Sequence, residues 1–337
     1  MAMDFSGGLD AEFETFFTER PAQPEMRDSA TLWIMDEGGT VAFPRVTIDA
    51  IGANWGMPRV QLNLVLADGR ALRVWDQFPA RAPNRSGIGA GPLGFECVEP
   101  FRRWTMHFDG QAEQSTTVAQ MAGGVGGTLV PLAFQIEAEM AAPPWLMGGM
   151  TPEAAKLMKT STEGSLMGGL RYEQLCRVQG WVKVAGEEHR ISGTGMRVRR
   201  QGIRNMAAAT GHCQHSALFP SGRAFGAIAM APKAVGSASF NEGFILTDGV
   251  RTPVHVVQAP WMQRLRASGE DATLVFASEL GTIRVEGETL LTTFDHHLFE
   301  MADTSVLEQG VARYVWDGEE TIGLIERCTL KQQLAPH

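Results

Sequence analysis

The sequence predicts an all-β protein made of two tandem antiparallel β-barrel or sandwich domains with few short helices. Three observations carry this expectation. Turn dipeptides recur at Asp68-Gly69, Asp109-Gly110, Ala185-Gly186, Ser221-Gly222, Asp248-Gly249, Glu286-Gly287 and Asp317-Gly318. Each can adopt the positive φ that lets a two-residue loop match strand twist. The runs between them alternate with period two: Val60, Leu62, Leu64 and Leu66 share one side, and so do Trp104, Met106 and Phe108. Such alternation fits antiparallel strands with one buried face. Helical patterns are scarce. One covers Leu9 to Glu19, with Phe13, Phe16 and Phe17 as a stripe, and another runs from an N-cap at Thr151 through Pro152 to Lys159.

A chain of 337 residues exceeds one ordinary core and suggests two domains. The boundary falls where Ala142-Pro-Pro-Trp145, two Met-Gly-Gly sequences and the short helix interrupt strand-rich flanks. The expected division is an N-terminal extension over 1–30, a β-domain over 31–150, a linker over 151–170 and a second β-domain over 171–337. Similar closing cadences, Trp104 to Gly110 and Arg313 to Gly318, suggest that the two domains are related.

The net charge of −9 argues against a nucleic-acid surface, which needs a basic face. No apolar run is long enough to span a bilayer, and the first residues lack the basic and apolar regions of a secretory signal. Cys97, Cys176, Cys213 and Cys328 are scattered singly, which reads as a reduced cytoplasmic protein with buried thiols. His296 and His297 are adjacent in a strand pattern, point to opposite faces and so do not predict a metal site. Gly123 to Gly127 lacks the Lys-Ser/Thr end of a phosphate loop and reads as a turn or bulge. No cofactor is expected.

The densest chemistry lies in Gly193-Thr-Gly-Met-Arg-Val-Arg-Arg-Gln-Gly-Ile-Arg-Asn205, which sets four arginines among three glycines. With Gly91-Pro-Leu-Gly-Phe-Glu-Cys-Val-Glu-Pro100, Arg103-Trp104, Arg171-Tyr-Glu-Gln174, Ser216 to Gly222 and Gly323-Leu-Ile-Glu326, this run gives the chain a resemblance to a known superfamily. It resembles the two-domain, lipocalin-like (calycin) proteins that include the AttH-like proteins and carotenoid hydratases, with fungal Diels–Alderases more distant. The resemblance spans about Thr31 to Leu330. It implies an apolar cavity and ligands such as isoprenoids, steroids, polyketides or other lipids. Where the hydratases carry a functional His and Trp after Gly-x-Gly, this chain has Arg199 and Gln201. An arginine cannot serve as an ordinary acid or base at neutral pH.

In an extended strand Arg197, Arg199 and Gln201 share one side. They either hold the polar end of a greasy ligand or pair with Glu173, Glu242 or Glu326. The strand pattern after them puts His212, Gln214 and Ser216 on one face, with His212 as the candidate acid or base. Nearness in sequence suggests that Arg199 and His212 are neighbours in one sheet. Glu173 and Asp76 complete the candidate substrate-binding set, although Asp76 also reads as a turn cap. The expected function is a cofactor-independent hydro-lyase or isomerase acting on a hydrophobic small molecule, with His212, Arg199 and Gln201 catalytic. The alternative is a non-catalytic carrier of such a ligand. A hydrophobic small molecule is the expected partner, without nucleic acid, and the sequence is compatible with a homodimer.

Overall fold

The computed structural model describes residues 4–124, 126–205, 211–231, 239–296 and 304–335, and His297 lies outside them. The chain folds into two compact units, each consisting almost wholly of antiparallel strands. The first unit contains β1 (Met26–Asp36), β2 (Val41–Ile51), β3 (Arg59–Leu66), β4 (Arg70–Gln77), β5 (Gly87–Ala90), β6 (Leu93–Glu99) and β7 (Arg103–Thr116). After helix α1 (Thr117–Met121) come β8 (Thr128–Met140), β9 (Trp145–Leu146) and helices α2 (Pro152–Thr160) and α3 (Thr162–Met167). Strands β10 (Leu170–Val184) and β11 (Glu187–Ile203) complete the first unit. The second contains β12 (His212–Leu218), β13 (Ala224–Met230), β14 (Asn241–Thr247), β15 (Val250–Gln258), β16 (Leu274–Ser278), β17 (Gly281–Asp295), β18 (Ser305–Trp316) and β19 (Glu319–Leu330).

In the first unit the strands run β4-β3-β2-β1-β11-β10-β8-β7, and a β4–β7 ladder from Arg70↔Thr116 to Arg73↔Glu113 joins the ends into a ring of eight. Strands β6 and β5 extend it beyond β7. The second unit is a closed barrel of eight strands, β12 to β19, in sequence order. Closure removes the unpaired strand edges that an open sheet would leave.

The expected division at 150 and 171 does not match the compact units. Strands β10 and β11 belong to the first, whose segments are Met1–Thr116, Gly126–Leu146 and Gly169–Arg204. The chain leaves that unit twice, for α1 and for α2 with α3, and returns each time. The Met-Gly-Gly stretch therefore marks an excursion, and the final departure comes at Asn205.

Most turn signals fall where expected. Ala185-Gly186, Asp248-Gly249 and Asp317-Gly318 have positive φ at both positions, the type I′ pattern that closes a two-residue hairpin. Asp109-Gly110 and Glu286-Gly287 instead lie within β7 and β17. A Cβ on Gly287 would stand 2.7 Å from the Ala272 carbonyl oxygen, so this glycine permits a close backbone approach and makes no turn. Helix α2 begins as expected, with the Thr151 hydroxyl accepting from Ala154 N–H at 3.1 Å. Leu9–Glu19 yields only a 3₁₀ turn, Ala11–Glu14, capped by Asp10. Beyond Thr15 the chain is drawn out of helical geometry as Phe16 enters the core of the first barrel and its N–H bonds to Arg85 O at 2.9 Å. All four cysteines are unpaired and buried.

Candidate functional site

Residues opposite each other in an antiparallel ladder share a face. In β1, Ala30, Leu32 and Ile34 are in the first barrel's core, and their ladder partners are Arg199, Arg197 and Gly195. The next ladder sets Tyr172 opposite Arg199 and Gln174 opposite Arg197. One end of an otherwise apolar interior is thus polar, with Arg197, Arg199, Gln201, Gln174, Tyr172 and Asp28 on three adjacent strands. The pairing of Arg197, Arg199 and Gln201 on one inward side agrees with the sequence pattern.

The N-terminal segment fills this end. Glu14 is 1% exposed, and its carboxylate receives Arg197 Nη2–H at 2.7 Å, Arg197 Nη1–H at 3.1 Å, Trp104 Nε1–H at 2.6 Å and the Tyr172 hydroxyl. The Arg197 guanidinium lies 4.6 Å from the Trp104 ring centre and 5.4 Å from that of Tyr172. Burial pushes the Glu14 carboxyl up, but the Arg197 charge and these hydrogen bonds outweigh it and leave its pKa below the ordinary value. Burial opposes the charge on Arg197, and Glu14 overcomes that, so the pair is ionised. Burial and the Glu14 charge push the neighbouring Cys97 thiol up to about 12, which keeps it protonated.

Arg199, fully buried, donates to Asp28 Oδ1 at 2.5 Å, to the carbonyls of Ser29 and Arg200 at 3.0 Å, and to Thr15 O. Its guanidinium lies 4.0 Å from the centre of the Phe16 ring. Gln201 also donates to Thr15 O, at 2.9 Å. The arginine partners are therefore Glu14 and Asp28, replacing the expected Glu173, Glu242 and Glu326. Glu173 bonds to Arg171, Glu242 accepts from the N–H groups of Gly148 and Met150, and Glu326 bonds to His212 and Gln309. Asp76 is exposed and caps Gln77 N–H at 2.7 Å.

Arg199 and His212 are not neighbours in one sheet: β11 belongs to the first barrel and β12 to the second. The facing of β12 also differs from the one expected. Its apolar interior row continues through Ala217 to Phe219 with Phe225, Ala227 and Ala229 across from it. Cys213 and His215 share that inward parity. His212, Gln214 and Ser216 take the opposite face, where His212 Nε2 meets Glu326 Oε1 at 2.8 Å and Gln309 reaches the other oxygen at 2.6 Å. Gln214 and Ser216 are buried there as well, so burial alone does not distinguish the two faces.

The inward row holds a constellation that sequence reasoning missed. His215 is 1% exposed, with Nδ1 2.7 Å from the Tyr314 hydroxyl oxygen. The same hydroxyl oxygen lies 3.1 Å from Leu324 O; with its one proton donated there it receives Nδ1–H, the tautomer in which Nε2 is the proton-free nitrogen. Nε2 is buried without a hydrogen-bond partner. Burial, with the Arg327 charge added, pushes the His215 pKa down to about 3, so the ring is neutral. Arg327 donates to Glu308 Oε2, to Glu270 Oε2 at 2.5 Å and to Pro260 O at 3.2 Å. Glu308, fully buried, keeps its other oxygen unbonded, and burial raises its pKa against the pull of Arg327. The two shifts run in opposite directions for one reason: burial favours the uncharged form of both the imidazole and the carboxyl. Among the described residues, no cluster of three or more His, Cys, Asp or Glu side chains is arranged to hold a metal ion.

Two barrels in this order define a two-unit antiparallel fold of the AttH type, as the sequence resemblance implied. The AttH-type protein of Nitrosomonas europaea superposes with a TM-score of 0.55 over 90% of this chain and 91% of its own, at 14% identity. CghA, solved with Sch210972, superposes with a TM-score of 0.56 over 91% of this chain and 89% of its own, at 9% identity. Residues 18–331 match the family described as a domain of unknown function (DUF7064), and the chain belongs to that family. Among curated proteins, none matches the sequence.

Proposed function

We propose that the protein is a cofactor-independent hydro-lyase or isomerase that acts on a hydrophobic small molecule within the second barrel, with His215 as proton acceptor. The observation that carries this reading is the buried, unpartnered Nε2 of a histidine whose other nitrogen is fixed by Tyr314. Leaving such an acceptor unbonded costs on the order of 1–3 kcal/mol, so its retention calls for a ligand group to meet it. The same barrel interior carries Phe219, Phe225, Phe276 and Trp316, the apolar side-chain chemistry that an isoprenoid or steroid skeleton would require.

In dehydration, Nε2 takes a proton from the carbon beside the carbinol centre, and the C–H electron pair forms the double bond. The C–O bond breaks and the hydroxyl leaves as water, taking the proton that Nε2 accepted. The Tyr314 oxygen stabilises the transient imidazolium through Nδ1–H, and transfer of the proton to the departing oxygen returns the ring to its neutral form. Isomerisation uses the same abstraction, with the proton returned to a different carbon. That CghA is solved with the small molecule Sch210972 supports a ligand-binding role for this architecture.

The test is conversion of a panel of hydroxylated isoprenoids and steroids. His215→Gln is expected to lose about 100-fold or more in kcat, and Tyr314→Phe roughly tenfold, with both variants melting near the wild type. Wild-type turnover by His215→Gln would overturn the assignment. A lipid that co-purifies in native mass spectra, with no conversion by the wild type, would make the barrel a carrier instead.

A further inference from the structure

We infer that the polar end of the first barrel is a binding site for an amphipathic carboxylate, filled in this chain by its own Glu14 and Phe16. The receptor and the occupant differ in how they are built. Arg197, Tyr172, Gln174 and Trp104 stand on β11, β10 and β7, each laddered on both sides. Arg197 lies against the rings of Trp104 and Tyr172, and Gln174 is fixed by three carbonyls, of Phe5, Phe101 and Ala142. Of these, the framework carbonyls of Phe101 and Ala142 do not depend on the N-terminal segment. The segment over 4–25, by contrast, forms one 3₁₀ turn and adds no strand to the ring.

The occupant has the chemistry of a ligand. One carboxylate takes donors from Arg197, Trp104 and Tyr172, and two residues on an aromatic ring enters the apolar core, edge-on to Trp104 at 5.8 Å. A fatty or arylalkyl monocarboxylate presents the same pair, an anionic head and an apolar body. Arg197 then recognises the carboxylate while Arg199 stays paired with Asp28, and Glu14 is the competitor that a free acid must displace. A tethered competitor acts at a high effective concentration, so the wild type binds such an acid weakly and removal of Glu14 exposes the affinity.

The readouts are binding and melting, which makes them independent of any chemistry in the second barrel. A fluorescent polyene fatty acid and its methyl ester are titrated into the full-length wild type, Glu14→Ala and Glu14→Ala/Arg197→Met. The acid is expected to bind Glu14→Ala at least about tenfold more tightly than the wild type, and the double variant is expected to lose that gain. The ester is expected to show no gain. Equal affinity in wild type and Glu14→Ala, or an equal gain for the ester, would overturn the inference. Glu14→Ala leaves a buried cation unpaired, so its melting temperature is also read in propionate and in chloride of matched ionic strength. A saturable rise in propionate, or recovery of the fold if the variant is unfolded in chloride, supports the site. No response to propionate sinks it.

Discussion

His215 couples function to pH in a direction that can be worked out from its surroundings. It is buried beside Tyr314, on which the Arg327, Cys213 and Glu308 charges also act, and its folded pKa of about 3 lies below the ordinary value of 6.5. Between those values the unfolded chain holds more protons than the folded one, so stability rises with pH across that window. The contribution is complete above 6.5 and is lost as pH falls toward 3. Glu308 acts in the opposite sense, since its raised folded pKa adds stability in acid. Urea midpoints of His215→Leu are therefore expected to fall less steeply with acidification than those of the wild type, and identical slopes would refute the account. For the same reason kcat/KM is expected to hold well below pH 6.5, where an unshifted histidine would lose activity. The sequence made β12 and its alternation legible, but not which row faces inward, because both rows are buried. The row of His212, Gln214 and Ser216 carries the stronger polar pattern, whereas the inward row is marked only by its continuity with Ala217 and Phe219. Glu14 was harder still to read, as an acid among phenylalanines resembles the polar edge of a surface helix.

At the scale of the element, hairpins were legible because a type I′ turn demands positive φ and the sequence supplies it. Strand glycines were not, since a dipeptide does not say whether its glycine turns the chain or lets another backbone approach. Gly195 shows the second use: a Cβ there would stand 2.7 Å from Trp33 O, 2.9 Å from Cys176 Sγ and 3.0 Å from Val178 Cγ1. Gly186, with φ of +94° and open space around its Cβ position, shows the first. Gly195→Ala is expected to cost about 1–3 kcal/mol through crowding between β1, β10 and β11. Gly186→Ala is expected to cost roughly 1 kcal/mol through backbone strain alone. Denaturant midpoints separate the two, and a larger loss for Gly186→Ala would contradict this division. The stretch Leu9–Glu19 shows where periodicity misleads, for its phenylalanines are spaced for a helix face but Phe16 and Glu14 are held by a barrel.

For the whole molecule, two tandem β-domains were legible from repeated turn signals and length, but their limits were not. Composition marks where strands stop, and it does not reveal that a chain will return to finish a barrel. Residues 1–150 expressed alone lack β10 and β11, which leaves β1 and β8 with open edges. That fragment is expected to aggregate, while residues 1–204 retain every strand of the first ring. Size-exclusion chromatography and far-UV circular dichroism check both, and a monomeric, β-rich 1–150 would show that the ring does not need its last two strands. No helix among the described residues is long and apolar enough to cross a membrane.

The late return of β11 also sets a clock on synthesis. Met26 pairs with Ile203, so β1 leaves the ribosome well before β11 and waits for it. At roughly 5–20 residues per second, that interval is on the order of ten to thirty seconds. During it β2, β3 and β4 can zip onto β1 as local hairpins, while the other edge of β1 stays available to any passing strand. A nascent chain stalled before Ile203 would accordingly be the form most dependent on chaperones, and the N-terminal segment, with no completed barrel to enter, would be its most exposed part.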